Sequence, residues 1–245
     1  MYRFFVENSQ IGEESISITG TDVNHIKNVL RMRIGERVLI SDGKDREYTC
    51  SISELSDEEV IATIEDVNGP ERELPVKVTL FQALPKGDKM ETIIQKMVEL
   101  GAERIVPVST KRCVVKLDDK KAGKKTERWQ NISLSAAKQS KRGIVPQVES
   151  PMTFGMALQE AQKMDLILIP YENAEDMKYT REVIGTIKPG MSVGIFIGPE
   201  GGFAEEEVEA ARQAGAREIT LGKRILRTET AGMAVMSVIM FLNEE

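Results

Sequence analysis

Two glycine-bearing loops lie in tandem near the carboxyl terminus, each between an apolar strand pattern and a helical pattern. The first unit runs from Ser192 to Gly215 and contains GPEGG, and the second runs from Arg217 to Leu242 and contains LGKRILRTETAG. β-Branched runs that enter a glycine turn and leave into a helix predict two strand–loop–helix units. Neighbouring strands of an α/β sheet would place both loops at the strand ends where open sheets bind ligands. The sequence therefore predicts a binding site here.

The charges of the first unit argue against a phosphate ligand. Glu200 lies in the loop, and the segment 205–207 opens the following helix with three glutamates. At a helix N-terminus each glutamate stabilises the helix by about 0.3–1 kcal/mol. Each would repel a phosphate about 6 Å away by about 0.7–2.8 kcal/mol, at an effective dielectric between about 80 and 20. We therefore expect a phosphate-free, neutral or cationic ligand held by main-chain groups.

Composition excludes several classes of protein. The 245 residues are 41% hydrophobic and 29% charged, which is typical of one or two globular domains. The apolar run 233–242 is too short to span a bilayer, and the N-terminus lacks a signal-peptide pattern, so we expect a cytoplasmic protein without membrane contact.

Cys50 and Cys113 are interpreted as small buried thiols. His25 is the only histidine, so histidine-based zinc sites and Ser-His-Asp triads are largely excluded and no metal is expected.

The distribution of charge indicates a polyanion partner although the net charge is −6. Residues 104–142 hold twelve Lys or Arg against three acidic residues, a local charge of +9 that leaves −15 for the rest of the chain. A basic zone on an acidic protein is typical of a nucleic-acid-binding face. The alternative is a solvated lysine-rich loop at 118–128.

The pattern along the chain predicts two domains, 1–70 and 75–245, joined by a linker at Asn68–Pro75. The first part shows five short strand signals and one helix at 22–32 capped by Thr21 or Asp22, which suggests a small β-barrel. From Val76 onward strands alternate with helices. This alternation predicts an α/β fold with a mostly parallel sheet covered by helices on both faces.

Five motifs together carry a family resemblance: HIKNVLRM at 25–32, the stretch from KGDKMETIIQ to PVSTKRC at 86–113, AAKQSKR at 136–142, IGPEGG at 197–202 and LGKRILRTETA at 221–231. The ordered set closely resembles the RsmE family of SPOUT methyltransferases. The resemblance implies transfer of a methyl group from S-adenosylmethionine to N3 of a uridine in 16S ribosomal RNA, with the 30S subunit as the expected context. It also implies a SPOUT-type C-terminal domain with a deep trefoil knot, an N-terminal PUA-like β-barrel and a homodimer whose cofactor pocket lies close to the interface.

Carried over position by position, the resemblance implies a set of cofactor-binding residues at the ends of three strands. They are Ile169, Pro170, Gly198, Pro199, Glu200, Gly201, Gly202, Leu221, Gly222, Leu226, Arg227, Thr228 and Ala231. S-adenosylmethionine has no phosphate and carries a sulfonium cation, so it suits an acidic, glycine-rich pocket.

Two residues of the second loop are candidates for catalysis. N3 of uridine must lose its proton to become a good nucleophile, so the site needs a cation near O2 or O4, a proton acceptor, or both. Arg227 is the first candidate for the cation, and Glu229 is a weaker candidate for the acceptor. The alternative is structural, with Arg227 anchoring the loop while Thr228 or Glu229 caps the last helix.

The RNA-contacting candidates are cationic and polar residues of both predicted domains: Arg3, Arg31, Arg33, Arg112, Lys116, Gln139, Lys141 and Arg142. The target base must be unpaired or splayed out, because N3 lies on its Watson–Crick edge. Trp129 is interpreted as a core residue rather than a stacking platform. The apolar stripe of the last helix belongs either to the core or to a dimer interface.

Two other functions stay open at this point. A different SPOUT specificity, such as ribose 2′-O methylation or methylation of a tRNA base, fits the same motifs. A non-catalytic RNA-binding factor for ribosome assembly would use the basic face without the cofactor.

Overall fold

The computed structural model describes residues 1–69, 71–172, 174 and 176–244. The predicted linker includes Pro70, which lies outside the described residues. The chain divides into two compact units, one formed by 1–73 with 137–145 and the other by 74–136 with 146–245. The predicted boundary at 70–75 did not anticipate that the segment 137–145 groups with the first unit.

The first unit is built on a five-stranded sheet with the order β1-β3-β4-β5-β2. Only the β1–β3 pair is parallel. Alternate residues point inward, as in β2, where Ile16 and Ile18 are fully buried and their neighbours are not. The five predicted strands are confirmed, and they are β1 Tyr2–Phe5, β2 Ser15–Thr19, β3 Arg37–Ser41, β4 Glu47–Leu55 and β5 Glu59–Asn68.

The helix predicted at 22–32 is shorter and begins differently. The α-helical part, α1, covers Thr21–Asn24, and a π-helical turn continues it through His25–Val29. Neither Thr21 nor Asp22 is the N-cap. That position is taken by Gly20, whose φ of +72° is accessible to a residue without a Cβ.

The segment 137–145 is connected to the rest of the first unit by hydrogen bonds that involve Ser41 and the carboxylate of Glu73. Buried Ser41 donates from Oγ to the carbonyl of Gly143 at 2.5 Å. Both carboxylate oxygens of Glu73 are used, one by the backbone N–H groups of Gly143 and Ile144 and the other by the Arg142 guanidinium. These contacts connect positions that are far apart in the chain, which is why sequence patterns did not assign the segment.

The second unit contains a seven-stranded sheet in which every pair is parallel, so the predicted mostly parallel sheet is confirmed. Its order is β12-β10-β11-β6-β7-β8, and β9 also pairs with β7. The strands are β6 Lys77–Ala83, β7 Arg104–Ser109, β8 Gln147–Val148, β9 Met152–Thr153, β10 Leu166–Pro170, β11 Ser192–Ile197 and β12 Arg217–Ile219. The helices are α2 Lys89–Glu99, α3 Asp119–Ser140, α4 Phe154–Ala161, α5 Met177–Ile184, α6 Glu205–Gln213 and α7 Thr228–Asn243, and the last four residues of α3, 137–140, group with the first unit.

Helices cover both faces of this sheet, as predicted. On one face Phe81 and Phe196 stack at 4.5 Å between ring centroids and pack, with Phe154, into a core that includes residues of α4 and α6. On the opposite face α2 packs against α7, and α7 also contacts β11. Because successive strand residues point to opposite faces and both faces are covered, nearly every residue of the central strands is buried and their sequences are mostly apolar.

Helix α3 includes residues that the sequence suggested to be a loop. The lysine-rich stretch treated there as a loop is the first half of a 22-residue helix. Asp118 begins it by accepting a hydrogen bond from the backbone N–H of Lys121 at 2.8 Å, as N-cap residues do. Trp129 is 2% exposed, so its predicted core role is confirmed. The lysines are therefore held on a rigid helix rather than on a flexible loop.

None of the described helices combines the length and the apolarity that a membrane crossing would need.

The two cysteines occupy different environments, although both were expected to be buried. Cys50 is buried in the core of the first unit, whereas Cys113 is half-buried. Burial, with a smaller contribution from the Glu65 carboxylate, raises the pKa of the Cys50 thiol to about 12. The thiolate is the reactive form.

We therefore expect a chromogenic disulfide reagent at pH 8 to label Cys113 and to leave Cys50 unmodified until the protein is unfolded. The Cys113→Ser variant should lose native-state labelling altogether. Rapid labelling of Cys50 in that variant would contradict the buried environment.

Candidate functional site

Parallel pairing brings three loops to one edge of the second unit's sheet. Strands β12, β10, β11 and β6 are neighbours, so their carboxyl ends lie at the same edge. The register pairs Pro170 with Ile219 and Ile197 with Gln82. The last residues of β10, the GPEGG turn after β11, the second loop after β12 and the first turn of α7 contain the residues predicted to bind the cofactor. The structure thus gathers that set, while its role in binding stays a prediction.

The GPEGG turn needs glycine at two positions for different reasons. The backbone N–H of Gly202 donates to the carbonyl of Pro199 at 2.9 Å, which closes a tight turn, and Gly202 has a φ of +67°. A Cβ on Gly198 would lie 3.3 Å from the backbone of Gly202 and 3.3 Å from the Phe203 ring. Gly198 is therefore required by close approach and Gly202 by its left-handed conformation.

Two carboxylates after this turn serve the protein's own backbone and side chains. Glu207 is 4% exposed and accepts hydrogen bonds from the backbone N–H groups of Ala204 and Lys111, at 2.9 and 2.8 Å. Glu206 forms an ion pair with the Lys111 ammonium at 2.5 Å. Glu207 therefore fixes the beginning of α6, a familiar role for a glutamate in the first helical turn.

Lys89 connects the first glycine loop with the first turn of α7 through one carboxylate of each. Its Nζ lies 2.8 Å from Glu200 Oε1 and 3.5 Å from Glu229 Oε2. Glu200 also accepts from the backbone N–H of Lys86 at 3.1 Å. Burial raises the pKa of Glu200, but the hydrogen bonds from Lys89 and the backbone outweigh it, so the net pKa lies below its ordinary value. The hydrogen bond to Glu200 raises the pKa of Lys89.

These pairings correct the electrostatic argument made from the sequence. Glu200 and Glu206 each have a lysine partner, and Glu207 is buried in backbone hydrogen bonds. Paired carboxylates repel an approaching anion less than the isolated charges assumed there. These acidic residues therefore disfavour a phosphate ligand less strongly than the sequence suggested.

The second loop runs from Thr220 to the beginning of α7. Gly222 has a φ of +100°, and its backbone N–H donates to Thr220 Oγ1 at 3.3 Å. Arg227 is the N-cap of α7, since its carbonyl accepts from the backbone N–H groups of Thr230 and Ala231. The interpretation in which Thr228 or Glu229 caps the helix is wrong. The Arg227 side chain is exposed beyond the helix end, where it is accessible to a ligand.

A buried hydrogen-bond chain joins three elements at this edge. Thr228 donates from Oγ1 to the carbonyl of Gly198 at 2.6 Å and accepts from Nε2 of Gln82 at 2.9 Å. Gln82 is fully buried, and Thr228 is 6% exposed. Sequence reasoning missed Gln82, although a glutamine inside the apolar strand VKVTLFQAL was a signal, because buried polar residues need partners. Lys89 was missed as well.

An open cavity of about 410 Å³ lies next to α6. Arg212 is ion-paired with both Glu209 and Glu218 there. The lining residues are Tyr171, Glu205, Val208, Glu209, Arg212 and Glu218. None of them belongs to the predicted cofactor-binding set.

The predicted RNA-contacting residues divide by burial. Five side chains of the set belong to exposed residues: Arg31, Arg33, Lys116, Gln139 and Lys141. Arg112 is also exposed, and its Nη1 donates to the carbonyl of Gly201 at 2.8 Å, so it supports the GPEGG turn.

Arg3 and Arg142 are corrections to that set. The Arg3 side chain is 7% exposed and pairs with Glu47 at 2.6 Å, and the Arg142 side chain is 5% exposed and pairs with Glu73 at 2.5 Å. Burial lowers the pKa of Arg3 despite the neighbouring Glu47. A buried guanidinium that is paired with a carboxylate cannot reach a phosphate without breaking that pair. We therefore assign both arginines to the stability of the first unit.

Two family models match the chain, an RNA methyltransferase domain over residues 72–240 and an RNA methyltransferase PUA domain over residues 18–65. The ribosomal RNA small subunit methyltransferase E of Bacillus subtilis is 40% identical over 100% of this chain and 98% of that protein. The chain belongs to this RNA methyltransferase family. The enzyme of the same designation from Mesomycoplasma hyopneumoniae is 35% identical over 97% of this chain and 98% of its own length.

A solved structure extends the similarity to the fold. The ribosomal RNA small subunit methyltransferase E of Neisseria gonorrhoeae, solved bound to S-adenosylmethionine, has a TM-score of 0.82 and 35% identity, covering 99% of this chain and 98% of that one. The predicted family and the SPOUT α/β fold with its PUA-like N-terminal part are confirmed. The trefoil knot and the residue-by-residue site remain predictions.

The pairing of Lys89 with Glu200 generates a prediction about pH. Because the folded-state pKa of Glu200 is lowered, its ionised form stabilises the fold above the unfolded-state pKa, and this contribution is lost as the pH falls through the folded-state pKa. In a carboxyl-detected NMR titration we expect the Glu200 midpoint below the ordinary value of 4.5. Lys89→Met should raise that midpoint.

Lys86→Met is the matched control, because Lys86 contacts Glu200 through its backbone N–H rather than through its ammonium. Its midpoint should stay close to that of the wild type. An unchanged Glu200 midpoint in Lys89→Met would show that the Lys89 ammonium does not lower the pKa of the Glu200 carboxyl.

Proposed function

We propose that this protein transfers the methyl group of S-adenosylmethionine to N3 of one uridine in 16S ribosomal RNA. The observation that carries the proposal is the full-length similarity to small-subunit ribosomal RNA methyltransferases, joined with the gathering of both glycine loops at one sheet edge. The enzyme class and the cofactor follow from the family. The exact atom of the base rests on the motif resemblance.

The residues at the sheet edge fit the proposed cofactor. Gly198 and Gly202 allow main-chain groups to approach closely, and neither loop sequence contains the GxxxxGK[ST] pattern of a phosphate-binding loop. When bound, S-adenosylmethionine supplies an electrophilic methyl group. Ile169, Pro170, Gly198–Gly202, Leu221, Gly222 and Leu226 would hold it, and Thr228 keeps the Gly198 carbonyl in place.

We propose Arg227 and Glu229 as the catalytic residues, and their location at the beginning of α7 supports the proposal. The exposed Arg227 guanidinium extends from the N-terminus of α7 and would stabilise negative charge on O2 or O4 of the base. The Glu229 side chain is 22% exposed, and its Oε2 lies 3.5 Å from Lys89. Glu229 would accept the proton from N3, directly or through water.

We propose that each unit separately contributes cations to RNA binding. Arg31 and Arg33 are exposed in the first unit, and Arg31 has a φ of +53°, a conformation that non-glycine residues rarely adopt. In the second unit the first half of α3 presents Lys120 and Lys124 four residues apart on one exposed helix face.

We further propose a homodimer that uses α7. Three apolar residues near its end, Val238, Phe241 and Leu242, are 44%, 81% and 56% exposed, while Met236 and Ile239 on the same helix are fully buried. A helix with apolar residues on both faces typically packs against the core of its own subunit on one face and against a partner on the other. The 30S subunit, in the cytoplasm, is the proposed setting of the reaction.

The methyl-transfer proposal predicts that the protein labels 30S particles lacking the modification when radioactive S-adenosylmethionine is supplied. A reverse-transcription stop should appear at one uridine, because N3 methylation blocks the pairing edge. Arg227→Ala should lower kcat by roughly 10²-fold, the usual cost of losing a donor that stabilises developing charge. Arg224→Ala, which removes a neighbouring exposed cation, is the control and should retain activity.

The outcomes separate the alternatives. Labelling without a stop would favour ribose 2′-O methylation, and labelling of tRNA alone would favour another base specificity. If the protein binds the cofactor but labels no RNA, the remaining alternative is a non-catalytic RNA-binding factor. If Arg227→Ala and Arg224→Ala are equally active, Arg227 has no catalytic role.

The basic face of α3 predicts a salt dependence. Each phosphate contact in single-stranded RNA contributes about −0.7 to the slope of log K against log salt concentration. We expect Lys120→Gln/Lys124→Gln to reduce the magnitude of that slope by about 1.4. The control, Lys163→Gln/Lys188→Gln, removes the same charge from exposed positions outside α3 and should leave the slope unchanged. Equal slopes for all three proteins would exclude α3 from the RNA interface.

A further inference from the structure

Gln82 is a buried polar side chain at the carboxyl edge of the sheet that the proposed reaction does not use directly. It is the penultimate residue of β6 and is registered with Ile197, the last residue before the GPEGG turn. Its Nε2 donates to the carbonyl of Ala83 at 3.0 Å and to Thr228 Oγ1 at 2.9 Å. Gln82 thus lies one hydrogen bond from Thr228 and two from the carbonyl of Gly198.

The chemistry of its neighbours determines how the amide is oriented. The carbonyl of Ala83 can only accept, and the single Thr228 hydroxyl proton is directed to Gly198 at 2.6 Å. Both neighbours of the amide therefore need a donor, and only the NH₂ end of glutamine provides two. The opposite orientation would place two acceptors against each other at both contacts.

This orientation leaves the other end of the amide without a partner. Gln82 Oε1 is buried and has no hydrogen-bond partner among the described residues. An unsatisfied buried acceptor destabilises a fold. A length-matched apolar side chain at this position would avoid that cost, so the stability of the fold alone does not account for a glutamine here.

We propose that Gln82 is a positioning residue for methyl transfer, acting through Thr228 to hold the Gly198 carbonyl and the GPEGG turn in the geometry that binds the cofactor. The inference rests on the proposed function, because it assigns the turn to S-adenosylmethionine. The donor from Gln82 fixes the Thr228 hydroxyl rotor, so that its proton is directed to Gly198. Without it the hydroxyl can rotate, and the turn loses one of its connections to α7.

The test measures cofactor affinity and thermal stability in the same set of full-length variants. Gln82→Met matches the side chain in length and removes both amide ends, and Thr228→Val removes only the hydroxyl and keeps the shape. By calorimetric titration with S-adenosylmethionine we expect each single variant to bind roughly tenfold more weakly than the wild type, the effect of one net hydrogen bond. The melting temperature of Gln82→Met should stay within a few degrees of the wild type, because the lost bonds are offset by removal of the unpaired acceptor.

The double variant distinguishes action through Thr228 from an independent effect. If Gln82 acts through that hydroxyl, Gln82→Met/Thr228→Val should bind no more weakly than the weaker single variant. An additive loss of roughly 100-fold would overturn the proposal, since independent effects multiply. Wild-type affinity in Gln82→Met would overturn it as well.

Thr79→Val provides the matched structural control. Thr79 is a buried polar residue of the same strand, 4% exposed, and it is registered with Gly194 and Arg104, several residues before the carboxyl edge. Its replacement should leave cofactor affinity unchanged. A loss of affinity in Thr79→Val equal to that in Gln82→Met would show a general effect on the strand and overturn the proposal. Absence of binding by the wild type itself would overturn the proposed function and this inference with it.

Discussion

Parallel pairing of β12, β10, β11 and β6 is the constraint on which the site depends. Parallel strands end at a common edge, so the loops that follow them become neighbours although they are far apart in the chain. A slip of one residue in β11 would exchange Phe196 and Ile195 between the two faces of the sheet. It would also move Gly198 away from Thr228, so the packing of the core and the geometry of the site are specified together.

The two glycine loops are then held by polar contacts of two kinds. The buried chain from Gln82 through Thr228 to Gly198 is made of neutral groups shielded from water, where hydrogen bonds are strong and directional. The contacts of Lys89 with Glu200 and Glu229 are partly exposed, and solvent screens them. We infer that the buried chain sets the shape of the turn, while the lysine mainly balances charge.

Burial decides what a cation does in this protein. Arginine is a residue type expected at an RNA interface, yet the guanidiniums of Arg3 and Arg142 each form an ion pair with a carboxylate inside the first unit. Lys120 and Lys124 were assigned to a loop by their composition, yet they lie on a regular helix that fixes their spacing. Charge counts predicted the presence of a polyanion-binding face, but only the packed structure separates the cations that can reach RNA from those that stabilise the fold.

The sequence by itself determined the alternation of strands and helices, the family, and the local signals that depend on near neighbours. Asp88 is the N-cap of α2, and Gly101, with a φ of +99°, directly follows its C-cap, which are residue types typical of these positions. Periodicity and capping depend on residues within a few positions, so a linear pattern contains them. Only the tertiary structure decided the partners of Gln82, the role of Lys89 and the burial of Arg142. Gln82 and Thr228 are 146 positions apart, and no local pattern specifies which distant group will share a buried hydrogen bond until the sheet has brought both to the same edge.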